Sequence, residues 1–222
     1  MKKPTFRLVA QAFTLLELLV LLAGVVILVA LLLPALTNRA RINGGPTCMS
    51  NLRQVGIALQ MFAGDNNNQF PPQVSITNGG SLEFLSSNSP ALHFRTLSNY
   101  LFLNWRVLRC PADGARQPLT NNGVLLDRNV SYFLSVDATP RMTNAILAGD
   151  RNLELAGQAV RPGLCTLATS TAVGWTVEMH SKRGTTRCGD ILFADGHVQF
   201  LRTNLTSVVQ RQGLATNRLA VP

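Results

Sequence analysis

The sequence predicts an α+β fold in which a long N-terminal apolar helix, a membrane stalk, continues into a helix packed on an antiparallel β-sheet. Three observations predict it: an apolar run at 13–36, an apolar stripe at helical spacing over 48–62, and short apolar runs separated by turn residues after 107. The 222 residues are 46% hydrophobic and 14% charged. This composition suits one globular domain with an appendage and excludes a wholly disordered chain.

The N-terminal segment changes from basic to apolar at Phe13. Residues 1–12 carry only basic charges, and the run from Phe13 to Leu36 has Glu17 as its only charge. No polar face interrupts the run. A helix over it would be about 36 Å long, enough to cross an apolar bilayer core of about 30 Å. The sequence therefore predicts a segment that enters a membrane.

Two simple interpretations of this segment leave features unexplained. A cleaved secretory signal needs small residues three and one positions before the cut, and the chain after the run offers poor matches. A plain membrane anchor gives Glu17 no role, although an acid deep in a bilayer costs about 2.5–3.5 kcal/mol. A carboxylate in an apolar helix requires a cation to neutralise it.

The string AFTLLE at 12–17 resembles the class III signal of type IV pilins and type II secretion pseudopilins. The resemblance implies that a prepilin peptidase cuts between Ala12 and Phe13 and methylates the new amino group of Phe13. It also implies that Glu17 pairs with the N-terminal amine of a neighbouring subunit during assembly. Pro34 lies where these proteins often bend the helix. The family usually has Gly before the cut, whereas this chain has Ala12.

The resemblance divides the chain into three parts. Residues 1–12 form a leader that the peptidase removes, 13–42 form the transmembrane stalk helix, and 43–222 form an exported globular domain. The protein is then expected in the inner membrane as a single-pass protein, with a cytoplasmic N-terminus and a periplasmic or extracellular C-terminal domain. Three basic residues before the apolar run and two soon after it favour the same orientation.

The globular part begins after a helix-breaking stretch at 42–47. An apolar stripe then steps by three and four residues, which predicts a helix that packs on a sheet; its members are Cys48, Leu52, Val55, Leu59 and Phe62. Residues 73–89 are rich in Ser, Asn and Gly and predict a loop. Ser89 and Pro90 then predict the start of another helix.

The later part of the chain predicts the strands of the sheet. Short apolar runs indicate strands at Val107–Cys110, Val130–Val136 and Ala145–Ala148. Residues 191–200 predict a hairpin, because their central Asp-Gly pair supplies the positive backbone angles of a tight turn. Residues 203–212 predict a short closing helix.

A second resemblance covers scattered strings over most of the chain, at Cys48, Met61, Phe70, Cys110, Gly149 and Ala194. These strings look like the large pseudopilin-like proteins of Verrucomicrobia and Planctomycetes, which implies a pilin-like roll and no catalytic activity. Four cysteines allow three pairings. The resemblance implies a Cys48–Cys110 bridge and leaves Cys165 and Cys188 for a second one. The alternative is four buried or free thiols.

Metal-ligating residue types cluster late in the chain. They are Glu178, His180, Asp190, Asp195 and His197. Asp195 is already explained by the tight turn and His197 by an exposed strand position, and a metal site would need a further convergent group. His180, Asp195 and His197 remain the candidate metal ligands, but the sequence predicts no metal, no cofactor and no enzyme activity.

The sequence thus predicts a structural subunit of a type II secretion or type IV pilus-like filament. Its expected partners are the prepilin peptidase, other copies of itself or related pseudopilins, an inner-membrane assembly platform and the membrane. The net charge of +9 would suit nucleic acid, but the arginines are interspersed rather than blocked, so nucleic acid is the less favoured partner. The alternative is a membrane-anchored exported binding module, for DNA or polysaccharide, or a metal-dependent enzyme with the same leader.

Overall fold

The structure of the protein is a computed structural model. It describes residues 14–39, 45–119, 123–181, 185–202 and 204–222, with the side chains of 31–39 and 45–46 outside the description. The chain divides into two compact units, Met1–Ile42 and Asn43–Pro222, which are treated separately below. The predicted leader 1–12, including the cleavage site at Ala12 and Phe13, lies outside the described residues.

The first unit contains helix α1, Leu15–Arg39. The helix begins with a capping box formed by Thr14 and Glu17. The backbone N–H and the hydroxyl of Thr14 each donate to Glu17 Oε2 at 2.9 Å, and the Glu17 N–H donates to Thr14 Oγ1 at 3.3 Å. This reciprocal pair satisfies backbone donors that the first turn leaves without partners, so the helix begins directly after Thr14.

The structure is α+β, but the predicted long apolar stalk helix that begins at Phe13 and continues into the globular unit is wrong. Helix α1 begins at Leu15 and ends at Arg39, and the next helix, α2, is Gly45–Asp65. The capping box fixes the start of α1. Pro46 has no amide proton and is best tolerated in the first turn of a helix, which fixes the start of α2. Within the described residues, no helix has both the length and the apolar character required to cross a membrane.

Helix α2 packs against the sheet through the predicted apolar stripe. Its five members are all buried in the structure, which confirms the periodicity. Their partners are the strands near the end of the chain, β7 Gly189–Phe193 and β8 Val198–Leu201. The spacing of three and four residues places all five side chains on one helix face, so a single face meets the sheet.

Two antiparallel sheets complete the second unit. The larger also contains β1 Tyr132–Ser135, β2 Ile146–Asp150, β5 Gly163–Ala168 and β9 Thr216–Val221, in the order β5-β9-β1-β2-β7-β8. The smaller contains β3 Leu153–Leu155, β4 Gln158–Ala159 and β6 Val173–Trp175, in the order β4-β3-β6. The unit also contains two short helices: α3 Pro90–Arg95, which contacts β1, and α4 Thr206–Arg211, which contacts β6.

The larger sheet has an apolar core on each face. Tyr132 and Leu134 belong to the core that includes α2, whereas Phe133 belongs to the core that includes Trp175 of the smaller sheet. Alternate residues of a strand point to opposite faces, so β1 supplies both cores. This explains why every residue of β1, β2 and β7 is buried.

The strands predicted from the sequence are confirmed in part. Strands β1 and β2 confirm the strands predicted at 130–136 and 145–148, and β7 and β8 confirm the hairpin at 191–200. The strand predicted at Val107–Cys110 is wrong, because Trp105–Leu108 forms a 3-10 helix. The Leu108 carbonyl accepts one bond from Ser131 at 2.9 Å, but no ladder follows. Strand β9, which pairs with both β5 and β1, was not predicted.

Candidate functional site

Helix α1 presents an apolar surface on all of its sides. Its large apolar side chains between Leu15 and Val29 are each 48–81% exposed in the single chain. An amphipathic helix on the surface of a globular protein buries one apolar stripe and exposes polar residues on its other faces. Contiguous exposed apolar surface of this kind marks a site of interaction with another apolar surface.

Glu17, the predicted assembly residue, lies at the start of this surface. Its carboxylate is engaged within its own chain, because Oε2 accepts both bonds from Thr14. The other oxygen, Oε1, takes no part in this capping box. The Thr-x-x-Glu spacing at 14–17 is the sequence signal of a capping box. The resemblance to a pilin signal led only to the assembly role for Glu17. Pro34 lies within α1, and its side chain is outside the description.

The cysteines follow only part of the predicted pattern. Cys48 of α2 and Cys110 form a disulfide with Cα atoms 5.0 Å apart, the pairing that the family resemblance implies. Cys165 and Cys188 are both buried and both free, so the second predicted bridge is absent. Burial raises the pKa of the Cys165 thiol to about 11 and also raises the pKa of Cys188. Both are therefore inert thiols at neutral pH.

A second candidate site lies inside the globular unit, where Asp150, His180 and Asp190 converge. Asp150 ends β2, and Asp190 is the second residue of the neighbouring strand β7. The two strands pair with Gly149 opposite Ile191, so both carboxylates lie at the same end of the pair. We refer to these three residues as the buried acid–histidine cluster.

Two glycines make the close approach of these strands possible. A Cβ on Gly149 would lie 2.8 Å from the Asp190 carbonyl oxygen, and a Cβ on Gly189 would lie 2.5 Å from the ring of Trp175. Any larger residue would therefore push β2, β7 and β6 apart. Glycine at position 149 thus permits the close packing of β2 on β7 beside the two carboxylates, and glycine at position 189 permits the packing of β7 on Trp175.

His180 reaches the cluster from the segment between β6 and β7. The side-chain amide of Asn152 donates to the carbonyls of Thr176 at 3.0 Å and Cys188 at 3.1 Å, which ties this segment to the end of β2. His180 itself adopts a left-handed backbone conformation with φ of 55°. Such angles are uncommon outside glycine and are found at functional sites, where the surrounding structure holds them.

The three side chains are in close contact and removed from water. His180 Nε2 lies 3.0 Å from Asp150 Oδ2 and 3.8 Å from Asp190 Oδ2. Asp150 and Asp190 are 0% exposed and His180 is 6% exposed. The Asp190 N–H donates to Asp150 Oδ2 at 2.6 Å. Among the described residues, Asp150 Oδ1 and both carboxylate oxygens of Asp190 accept no hydrogen bond.

The electrostatics of the cluster follow from this burial. Desolvation and the charge of Asp150 together raise the pKa of Asp190 to about 7, against the opposing effect of His180. Burial, with a contribution from the two carboxylates, also holds the pKa of the nearby Tyr132 phenol well above its ordinary value. The cluster therefore holds negative charge away from water. This is energetically unfavourable unless a cation or a proton neutralises the charge.

The disulfide borders the cluster on another side. Cys110 Sγ lies 3.5 Å from His180 Nε2, and the Cys188 thiol donates to the His180 carbonyl at 3.5 Å. Two sets of potential metal donors thus share His180. One is Asp150, His180 and Asp190, and the other is Cys48, Cys110 and His180.

The remaining metal candidates from the sequence lie elsewhere. Asp195 and His197 pair with each other at 2.6 Å between Oδ1 and Nδ1 on an exposed turn, and they are not part of the cluster. Glu178 accepts from Arg151 at 2.9 Å, and Arg151 also forms a bidentate pair with the buried Asp113. Arg151 is therefore engaged with other carboxylates and does not neutralise the cluster.

Asp150 was the residue that sequence reasoning missed. It closes a strand in which all five residues are buried. An acid at the end of a wholly apolar run is the signal that could have identified it. The sequence gives no sign of this contact, because Asp150 meets Asp190 only through the register of β2 and β7, and His180 reaches both from outside the strands.

Comparison with protein-family models, with curated proteins and with solved structures finds no match to this chain. The geometry of α1 and of the buried acid–histidine cluster is therefore the basis for the proposals that follow. Chemically, α1 offers an apolar surface with one acid at its start. The cluster offers two carboxylates and an imidazole without access to solvent.

Proposed function

We propose that this protein is a structural subunit of a type II secretion or type IV pilus-like filament, in which α1 packs against the α1 helices of other copies. The observation that carries the proposal is the exposure of the large apolar side chains on every side of α1. Full burial of each such side chain contributes about 1.5–3 kcal/mol. A lateral association of several α1 helices therefore gains much more than association through one stripe.

Glu17 gives this association a direction. Removal of the leader between Ala12 and Phe13 would create an amine one residue before the capping box. The Glu17 oxygen outside the capping box, Oε1, is then available to the Phe13 amine of a neighbouring copy. A buried ion pair is best attested as a device that fixes register between helices. Head-to-tail contacts of this kind extend into a filament when the rotation between subunits does not close a ring.

The proposal includes processing by a prepilin peptidase, methylation of Phe13 and assembly on an inner-membrane platform, with the globular unit on the exported side. The Cys48–Cys110 disulfide supports export, because such bonds persist in oxidising compartments and are rare in the cytosol. The alternative, an exported binding module or metal-dependent enzyme, would use the same leader without filament assembly.

The decisive experiment separates the two roles that Glu17 can have. Glu17→Gln keeps a capping-box side chain at this position but removes the charge, whereas Glu17→Ala removes both. We expect both variants to be processed normally and both to abolish filaments, because an amide cannot neutralise the amine. Electron microscopy of filaments from the native host provides the measurement, and Glu83→Gln in the globular unit is the control that should still assemble.

The opposite results would reject the proposal. Normal filaments from Glu17→Gln, together with loss in Glu17→Ala, would mean that Glu17 only caps the helix. Mass spectrometry of the native protein is the second test. We expect a chain that begins at a methylated Phe13. An intact leader would contradict processing and favour the alternative of an anchored exported module.

A further inference from the structure

The buried acid–histidine cluster contains more negative charge than the described residues around it neutralise. Asp150 and Asp190 are both fully buried, and three of their four carboxylate oxygens accept no hydrogen bond from the described residues. Buried polar groups are almost always hydrogen-bonded, and buried charges are paired or bind metals. Arg151, the basic residue adjacent in sequence, is engaged by Asp113 and Glu178. The part of the chain that the structure describes thus leaves the arrangement one cation short.

We propose that Asp150, His180 and Asp190 bind one divalent transition-metal ion of the zinc class. The three donor atoms lie within 4.8 Å of one another. Tetrahedral ligands at zinc bond lengths are about 3.3 Å apart. The observed separations from His180 Nε2, 3.0 Å to Asp150 Oδ2 and 3.8 Å to Asp190 Oδ2, lie on either side of this value. Small side-chain movements thus bring all three donors to one ion.

The donor set distinguishes between metals. Ca²⁺ takes six to eight oxygen ligands and Mg²⁺ keeps several waters, so neither suits an imidazole with two carboxylates in a closed site. Imidazole and carboxylate together suit Zn²⁺ and its neighbours in the first transition row. Burial of all three ligands indicates a structural ion, which would tie the end of β2 to β7 and to the segment that carries His180.

The sulfurs of Cys48 and Cys110 are the competing donors, because they also lie next to His180. They are bonded to each other in the structure and are therefore not thiolates, the form of cysteine that binds metals. The proposed site uses no sulfur donor and therefore binds metal with the disulfide intact. A cysteine site would require it to be reduced, and this difference is measurable.

The test uses the full chain in detergent, unfolded with a chelator and refolded with Zn²⁺ while the disulfide is kept oxidised. We expect one zinc per chain by elemental analysis after dialysis. Asp190→Asn should weaken zinc binding by at least about 100-fold, since loss of even an outer-shell partner costs 10–100-fold. The matched control is Asp195→Asn, which changes the exposed Asp195–His197 pair and should retain one zinc.

A cobalt spectrum decides the matter even if Asp190→Asn does not fold. Wild-type protein loaded with Co²⁺ should show visible ligand-field bands without a thiolate-to-metal charge-transfer band. The proposal is overturned by absence of stoichiometric metal in the oxidised wild type, by equal binding in folded Asp190→Asn and Asp195→Asn, or by binding that requires reduction and shows the thiolate band. The last outcome would assign the metal to the cysteines.

Discussion

In α1 the apolar side chains lie on the outside, whereas in the larger sheet two carboxylates lie on the inside. The large side chains of α1 are at least 48% exposed, and Asp150 and Asp190 are fully buried. Each region thus reverses the usual distribution of apolar and charged groups. The reversal has opposite chemical consequences: one region requires apolar contacts, and the other requires positive charge.

The two regions are incomplete in different ways. The surface of α1 requires other apolar groups to cover it, because apolar side chains gain free energy by leaving water. The buried acid–histidine cluster is satisfied by something small enough to enter a closed core, a proton or a metal ion. Assembly and metal binding are therefore independent proposals, and each can fail without the other.

The largest expected effect concerns the disulfide that borders the cluster. The double variant Cys48→Ala with Cys110→Ala should lower the free energy of unfolding of the globular unit by about 4 kcal/mol, because the bond closes a loop with a sequence separation of 62. Urea unfolding followed by tryptophan fluorescence measures this unit alone, since Trp105 and Trp175 are the two tryptophans of the chain.

The control for this variant is Cys165→Ala, which removes a buried but free thiol. It should cost about 1 kcal/mol, as expected for a small truncation in the core. Equal losses in the two variants would show that the disulfide contributes no more than its packing. That result would also weaken the inference that the globular unit is adapted to an oxidising compartment.

The next effect compares the same substitution in the two regions. Leu192→Ala in β7 should lower the free energy of unfolding by about 2–5 kcal/mol, because Leu192 is fully buried and its loss leaves a cavity. Leu19→Ala in α1 should change it by less than about 0.5 kcal/mol, because Leu19 is exposed. The same urea unfolding experiment measures both. A large loss from Leu19→Ala would mean that α1 is part of the folded globular unit.

The fold was predictable from sequence where the signal was local. The stripe of α2 and the hairpin of β7 and β8 follow from short-range periodicity and from an Asp-Gly turn. The strand predicted at Val107–Cys110 failed because a short apolar run does not distinguish a strand from a buried turn. Strand β9 escaped prediction because its place between β5 and β1 depends on pairing with distant residues.

The candidate site was predictable in part for the same reason. His180 and Asp190 are close enough in sequence to be grouped, but Asp150 joins them only through the register of β2 and β7. At the N-terminus a local signal was overlooked. Glu17 was assigned only a partner in another subunit, although a residue three positions before it caps the helix in the same chain.

The smallest predicted effect is the pH dependence of the free energy of unfolding of the metal-free globular unit. Burial, with the charge of Asp150, raises the pKa of Asp190 from 3.8 to about 7 against the opposing effect of His180. The native state therefore holds a proton that the unfolded state has already lost above pH ~5, and stability falls as the pH rises through the folded pKa. With a chelator present, the free energy of unfolding should drop by about 2 kcal/mol between pH 5 and pH 7.

Substitution at Asp190 isolates this contribution from that of the other titrating groups. Asp190→Asn should remove the drop, because an amide does not titrate, whereas Asp195→Asn on the exposed turn should keep it. Urea unfolding at pH 5, 6 and 7 in EDTA provides the comparison. Zn²⁺ should reverse the slope in the wild type, because it competes with the proton for Asp190 and binds more tightly as the pH rises. A wild-type slope that matches Asp190→Asn would show that the carboxylate is already neutralised by another group, which would leave no charge for a metal to balance.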